Sequence, residues 1–514
     1  MNGAHALLRT LVQNGVTTCF TNPGTSEMHF VAALDDVPEM RAVLALFEGV
    51  ATGAADGYAR MSGAPAATLL HLGPGLGNGL ANLHNARRAR TPVVNIVGDH
   101  ATYHQPLDAP LASDIVSVAN NVSTWVRESR SSADIGKDAT DAILAALNGC
   151  VATLILTADA SWSDGAEVGP HAAIPYVMRT ADVEVAAKAL RSDEPSALLL
   201  GGAAVRDVDA LNVASGIAAA TGAKVLCETF PARLERGAGV PAVERLGYLA
   251  EFAVAQMQGL RHLVLVDAKA PVSFFAYPEK PSVLVPEGCE VHELVPEGFH
   301  VTPTLEALLS AVGGTLAGAA PAPATRPERP TGALTPESLA NAIGALLPEG
   351  AIVSDEANTA GLFVSGATAG APPHSWLTLT GGAIGQGMPV ATGAAVACPD
   401  RPVISLEADG SAMYTLQSLW TQAREGLDVT TVIFDNQSYA ILNLELSRVG
   451  ARTDGNAGDL FDLSRPPLDF VALSQGMGVP AARAETAEDV VRELERALAE
   501  PGPHLIHAIL PSRL

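Results

Sequence analysis

The chain has 514 residues, is 48% hydrophobic and 17% charged, and carries a formal net charge of −24. It is too long for one core, since domains average roughly 150 residues and about three are expected, and it is too apolar to be disordered. The acidity repels phosphate backbones and argues against nucleic-acid binding, yet a diphosphate can still be held locally by a metal ion and backbone N–H groups. Five scattered cysteines (Cys19, Cys150, Cys227, Cys289 and Cys398) form no CxxC. They read as reduced core thiols of a cytoplasmic protein. The opening MNGAHALLRTL lacks a basic segment before a long apolar run. No apolar stretch approaches the roughly 18 residues that span a bilayer, so no membrane association is expected.

Along the chain, apolar runs alternate with helix-like segments, the rhythm of parallel α/β sheets. VTTCFTNPG, AATLLHLGPG, TPVVNIVGDH and VATLILTAD each read as a buried strand ending in polar or Gly-rich punctuation. SALLLGG, AKVLCETF, HLVLVDA and PSVLVP repeat the pattern, and AIVSDEANT, PVISLEADG, TTVIFDNQ and HLIHAIL do so again. The Pro- and Ala-rich stretch 314–336 reads as a linker, and a weaker boundary falls near 164–180. The expected organisation is three consecutive doubly wound parallel-sheet domains, at 1–165, 180–313 and 337–514. In such sheets ligands sit at the carboxyl ends of the strands.

Three constellations at those ends could carry chemistry. Asp409 and Asn436 stand 27 positions apart, enough for a strand end, a helix and the next strand. A carboxylate and an amide oxygen suit Mg²⁺ or Ca²⁺, with phosphate oxygens as further ligands, and Gly410 and Ser411 would offer helix N–H groups to a diphosphate. The plainer alternative is a helix cap at Asp409 and a turn at Asn436. Glu48 lies among apolar residues in ALFEGVATGAADGYAR, either a surface accident or a buried acid that needs a partner. His71 ends a strand before LGPGLGNGL, as a satisfied strand-end histidine or an active-site group. The glycines there fail the GxGxxG test, because Asn78 or Leu80 stands where the third Gly belongs. They read instead as positions where a helix packs closely.

Taken together, ADG at 408–410, DN at 435–436, Glu48 and TGGAIGQGMP resemble the thiamine-diphosphate enzymes of the acetolactate synthase, benzoylformate decarboxylase and pyruvate oxidase superfamily. The resemblance spans essentially the whole chain. It departs from the usual GDG and NN forms at Ala408 and Asp435, which bear on how tightly a cofactor is held. The resemblance implies a pyrimidine-binding first domain, a central domain and a diphosphate-binding last domain. It implies Mg²⁺ or Ca²⁺ on Asp409, Asn436 and the Ser438 carbonyl. Cofactor contacts are implied at Asn22, Pro23, Gly24, Asn78, Asn358, Thr359, Gly382, Ile384, Gly410, Ser411 and Tyr439, with Ile384 forcing the bent cofactor shape. Glu48 would bond pyrimidine N1′ and so drive loss of the thiazolium C2 proton. Sites in this family lie between two chains, so a homodimer or homotetramer is implied.

Within the family, NPGTSE, LHLGPGLGN and SAMYTLQSLWTQA are closest to benzoylformate decarboxylase-like members. His71 matches their active-site histidine, and Thr25 takes the place of their serine. Their second histidine is absent; Phe275, in PVSFFAYPEK, stands in its region, which points to an apolar or carboligating pocket. Leu111 and Thr124 replace the glutamine and lysine of acetolactate synthases, and the length argues against FAD. Leu111, Phe275, Ile441 and Leu442, with Glu445 nearby, would line the substrate pocket. The implied reaction is decarboxylation of a 2-keto acid, ending in aldehyde release or a new C–C bond. Acetolactate synthesis from pyruvate, an inactive cofactor-binding homologue and an acyl-CoA lyase are the alternatives. The last lacks a basic cluster outside ATRPERP.

Overall fold

The computed structural model describes residues 1–173, 182–296, 299–452 and 455–512. The boundary expected near 164–180 lies partly outside these residues. Among them, strands build three parallel sheets in chain order. The first contains β1 (Thr18–Thr21), β2 (Arg41–Leu44), β3 (Ala66–His71), β4 (Val93–Asp99), β5 (Trp125–Ser129) and β6 (Val151–Thr157), ordered β2-β1-β3-β4-β6-β5. The second uses β7 (Ser196–Leu200), β8 (Lys224–Cys227), β10 (Glu244–Arg245), β11 (His262–Val266) and β12 (Glu290–Val295), ordered β10-β8-β7-β11-β12. Beside it in sequence, β9 (Leu234–Arg236) pairs antiparallel with β14 (His374–Thr378). The third runs β17 (Ala481–Ala484), β18 (His504–Ile509), β16 (Val429–Asp435), β15 (Val403–Ala408), β13 (Ile352–Glu356).

The α/β expectation is met. Strands β4, β6 and β16 are buried along their whole length, as continuous apolar runs covered on both faces must be. PSVLVP is not a strand; Val283 makes one isolated antiparallel bridge to Val272. The strand beside β11 is instead β12, EVHELV, whose half-exposed edge hides the apolar run expected of a buried strand.

By packing, the chain divides into two compact units. One holds Met1–Ile174, Pro327–Ala367 and Leu379–Leu514; the other holds Pro175–Arg326 and Thr368–Thr378. The first and third sheets therefore belong to one unit. Inside it, the helix Glu48–Ser62 meets the helix Gly387–Ala397 backbone to backbone. A Cβ on Gly57 would overlap the Val390 carbonyl, and one on Gly393 would overlap the Ala54 carbonyl. The small-residue composition of VATGAADG is thus a packing requirement. The contact is fixed by a buried polar knot. Arg60 Nε and Nη2 donate to Asp56 Oδ1 and Oδ2 at 2.8 and 2.6 Å, and Thr91 donates to Asp56 at 2.7 Å. Gln386 Nε2 donates to the same carboxylate at 2.7 Å. No helix among the described residues is long and apolar enough to cross a membrane.

Candidate active site

β15 and β16 are paired in parallel, with Ala408 opposite Phe434, so Asp409 and Asp435 leave the sheet side by side. Gly410 N–H donates to Asp409 Oδ1 at 2.8 Å, while Asp409 Oδ2 is buried with no protein donor. Burial is the main reason this carboxyl is raised to about 7; the neighbouring Asp435 raises it further, and the Gly410 N–H opposes both. Asn436 Oδ1 accepts the Ser438 N–H at 3.1 Å, which closes a turn and brings the Ser438 backbone beside the amide. Gln437 within that turn takes φ 57° and Asn358, after β13, takes φ 51°. Such non-glycine outliers collect where ligands are held. Asn358 Nδ2 donates to Ser411 Oγ at 3.0 Å, joining two expected diphosphate contacts, and Thr359 is partly buried next to it.

The two departures from the family pattern have local explanations. Ala408 has φ −72° and ψ 145°, ordinary extended backbone that needs no glycine. Asp435 Oδ2 accepts from His507 Nε2 at 2.7 Å, and its Oδ1 accepts the Gln437 N–H at 3.0 Å. Burial would raise Asp435, but His507, the neighbouring Asp409 and the Gln437 N–H together outweigh it, and the carboxyl lies below its ordinary value. The added carboxylate is thus hydrogen-bonded to a histidine from β18.

Glu48 is buried at the first position of its helix, and Asn78 Nδ2, from the helix Leu72–Ala89, donates to its Oε2 at 3.0 Å. His71 ends β3. Its Nδ1 lies 3.0 Å from Glu27 Oε2 and 3.1 Å from Ser26 Oγ. Glu27 is fully buried in the turn after β1; it accepts the Gly24 N–H at 2.7 Å and the Ser26 hydroxyl. Gly98 on β4 makes room, since a Cβ there would overlap the Glu27 carboxylate. Because β1, β3 and β4 are adjacent, three strand ends converge on one imidazole. Asn22, Pro23 and Gly24 lie in this turn, half-buried, whereas Thr25 is exposed; the hydroxyl at His71 is that of Ser26.

The TGGAIGQGMP loop is gripped from both sides. Glu356 accepts the N–H groups of Gly385 at 2.7 Å and Gly387 at 2.5 Å. Asn82 donates to the Gly385 carbonyl at 3.1 Å and Asn85 to that of Ala383 at 2.8 Å. Gly382 is exposed at φ 74° and Ile384 is half-buried. Tyr439 precedes the helix Ala440–Arg448, which carries exposed Leu442 and half-buried Ile441 and Glu445, the last 3.0 Å from Arg448. Leu111 is exposed, and exposed Phe275 belongs to the other unit. Ser26, Glu27, Glu356 and His507 are the residues the sequence reading missed. NPGTSE did hold a signal, an acid three residues past the Pro-Gly turn that follows a strand.

These features are those of a thiamine-diphosphate enzyme, and the chain belongs to that family. The thiamine pyrophosphate enzyme N-terminal TPP binding domain matches residues 1–118, and the C-terminal TPP binding domain matches 362–508. IlvX of Mycobacterium tuberculosis, named with acetolactate synthase large subunits, is 61% identical over 100% of this chain and 99% of its own. Benzoylformate decarboxylase of Pseudomonas aeruginosa is 31% identical over 96% of each chain. The thiamine diphosphate-dependent 4-hydroxybenzoylformate decarboxylase of Rhodococcus jostii superposes with a TM-score of 0.86 at 25% identity, covering 99% of both chains.

Proposed function

We propose that this protein decarboxylates a 2-keto acid, using thiamine diphosphate held through Mg²⁺ or Ca²⁺, and releases an aldehyde or passes the acyl unit to a second carbonyl. The observation that carries this is Asp409 Oδ2, a buried carboxylate oxygen without a protein donor, beside the Asn436 turn. A divalent cation answers both the burial and the Asp435 charge, and hard oxygen donors suit it. Asp409, Asn436 and the Ser438 carbonyl hold the metal; Asn358, Thr359, Gly410 and Ser411 line the diphosphate.

Bound thiamine diphosphate supplies the electron sink for the electrons left when CO₂ departs. Glu48 holds a proton at the pyrimidine nitrogen, with Asn78 fixing its carboxylate. Asn22, Pro23, Gly24, Gly382, Ile384 and Tyr439 complete the cofactor contacts. His71, oriented by Glu27, moves protons at the substrate. Leu111, Ile441 and Leu442 form the apolar wall, and Thr25 borders it. On this reading residues 1–165 bind the pyrimidine, 337–514 the diphosphate, and 180–313 form the central domain, joined by 314–336. The working unit is a homodimer or homotetramer with sites between chains, in the cytoplasm.

The name of the 61% identical relative favours a second reading, acetolactate formation from pyruvate. A CO₂-release screen over 2-keto acids with thiamine diphosphate and Mg²⁺, with products identified by mass, separates the two. Benzoylformate-type substrates giving aldehyde or hydroxyketone support the first; acetolactate from pyruvate supports the second. Glu48→Gln is expected to slow cofactor C2 proton exchange, followed by NMR, about 10²- to 10⁴-fold. Absence of Mg²⁺-dependent thiamine diphosphate binding by calorimetry overturns both.

A further inference from the structure

A second constellation lies in the other unit. β11 and β12 run parallel in register, with His262 opposite Glu290 and Val264 opposite His292. In-register residues and those two apart share a face, so His262, Glu290 and His292 point the same way. Their ligand atoms all lie within 4.8 Å of one another. His262 Nδ1 is 3.2 Å from His292 Nε2, and Glu290 Oε2 is 3.8 and 3.9 Å from those same two nitrogens. The imidazoles are only 12% and 9% exposed, whereas the Glu290 side chain is 67% exposed and can swing.

Behind this trio, His262 Nε2 lies 3.0 Å from Glu194 Oε2. A proton on Nε2, donated to that carboxylate, leaves Nδ1 with its lone pair turned toward His292. Carboxylates placed behind a ligating histidine fix its tautomer in this way.

We propose that His262, His292 and Glu290 bind a divalent transition-metal ion of the zinc class, with Glu194 orienting His262. Tetrahedral zinc with Zn–N bonds of about 2.0–2.1 Å sets two ligating nitrogens about 3.3 Å apart, close to the 3.2 Å observed. Two imidazoles and one carboxylate form a borderline donor set suited to zinc rather than Mg²⁺. The fourth position falls to water. The ion ties edge strand β12 to β11. The site shares no residue with the thiamine diphosphate centre and does not depend on its assignment. The competing arrangement is a plain His–His hydrogen bond.

Full-length protein, stripped with a chelator and returned to excess Mg²⁺ to fill hard-oxygen sites, is titrated with Zn²⁺ by calorimetry. Co²⁺ absorption reports the ligand geometry. One Zn²⁺ per chain is expected, giving a tetrahedral Co²⁺ spectrum and a higher thermal midpoint. His292→Asn should abolish the equivalent, and Glu194→Gln should weaken it about 10- to 100-fold. Failure of wild type to bind Zn²⁺, or an equivalent that survives both His262→Asn and His292→Asn, overturns the proposal. Should the histidine variants not fold, Glu290→Gln at its exposed position decides: weakened binding supports the site, unchanged binding refutes it.

Discussion

Glu27 sets the position of His71 without facing the solvent itself. Its carboxylate is shared among the His71 ring, the Gly24 N–H and the Ser26 hydroxyl. An imidazole bonded on Nδ1 to a buried carboxylate keeps one orientation and one tautomer. Glu27→Gln preserves the shape but loses the charge. It is expected to lower kcat by about tenfold or more, part of the 10²–10⁴ that a positioned acid–base group contributes. KM should move little, and the pH–rate profile should shift. Steady-state kinetics across pH, beside a thermal melt, check this; an unmoved profile leaves Glu27 only a structural role. Asp435 shows the same logic in reverse, since its departure from the family pattern is matched by His507 from another strand. Neither pairing is legible along the chain, because each joins residues brought together only by strand order. Asp409 and Asn436 were legible because both terminate apolar runs that needed no tertiary knowledge to find.

At the level of elements, β13 and β15 lie side by side and carry two buried acids, Glu356 and Glu407, that face the glycine loop. Burial is the chief cause that lifts Glu356 to about 7, against the opposing N–H bonds of the loop. Glu407 is raised well above the ordinary value, by burial first and then by the Glu356 charge. Both therefore bind a proton more tightly folded than unfolded. The resulting stability is present below the ordinary value of 4.5 and is lost as pH rises toward and through about 7. With metal chelated, the thermal midpoint should fall from about pH 5 to about pH 8. Glu407→Gln should flatten that slope; an equally steep slope in the variant refutes the assignment. Asn358 and Thr359, the expected cofactor contacts, follow β13, whereas Glu356 at its end turns inward to hold the loop. Element assignment failed where burial and periodicity part company. PSVLVP is apolar yet makes a single bridge, whereas β12 is mostly exposed and mostly polar over its first four residues and is a true edge strand.

Over the whole molecule, the unit that contains the first and third sheets is assembled from three separated stretches of chain. The Asp56 carboxylate stitches two of them, joining Arg60 and Thr91 from the N-terminal stretch to Gln386 from the C-terminal one. Both Asp56 and Arg60 are buried, so removing one partner leaves a charge without its counter-charge. Asp56→Ala is expected to destabilise by about 3–5 kcal/mol, and Asp56→Asn by less. Urea unfolding measures this, and a loss below about 1 kcal/mol, the worth of an exposed pair, contradicts it.

The backbone-to-backbone seat between helices Glu48–Ser62 and Gly387–Ala397 has a consequence for synthesis. Roughly 320 residues separate the two helices, and ribosomes add about 5–20 residues per second. For tens of seconds the Gly- and Ala-lined face of the first helix is outside the ribosome while the helix that seats on it is still unmade. The helix bearing Glu48 is thus among the earliest parts translated and among the last to be closed over. A nascent chain of this protein must keep that narrow face bare until synthesis has passed residue 397 of 514.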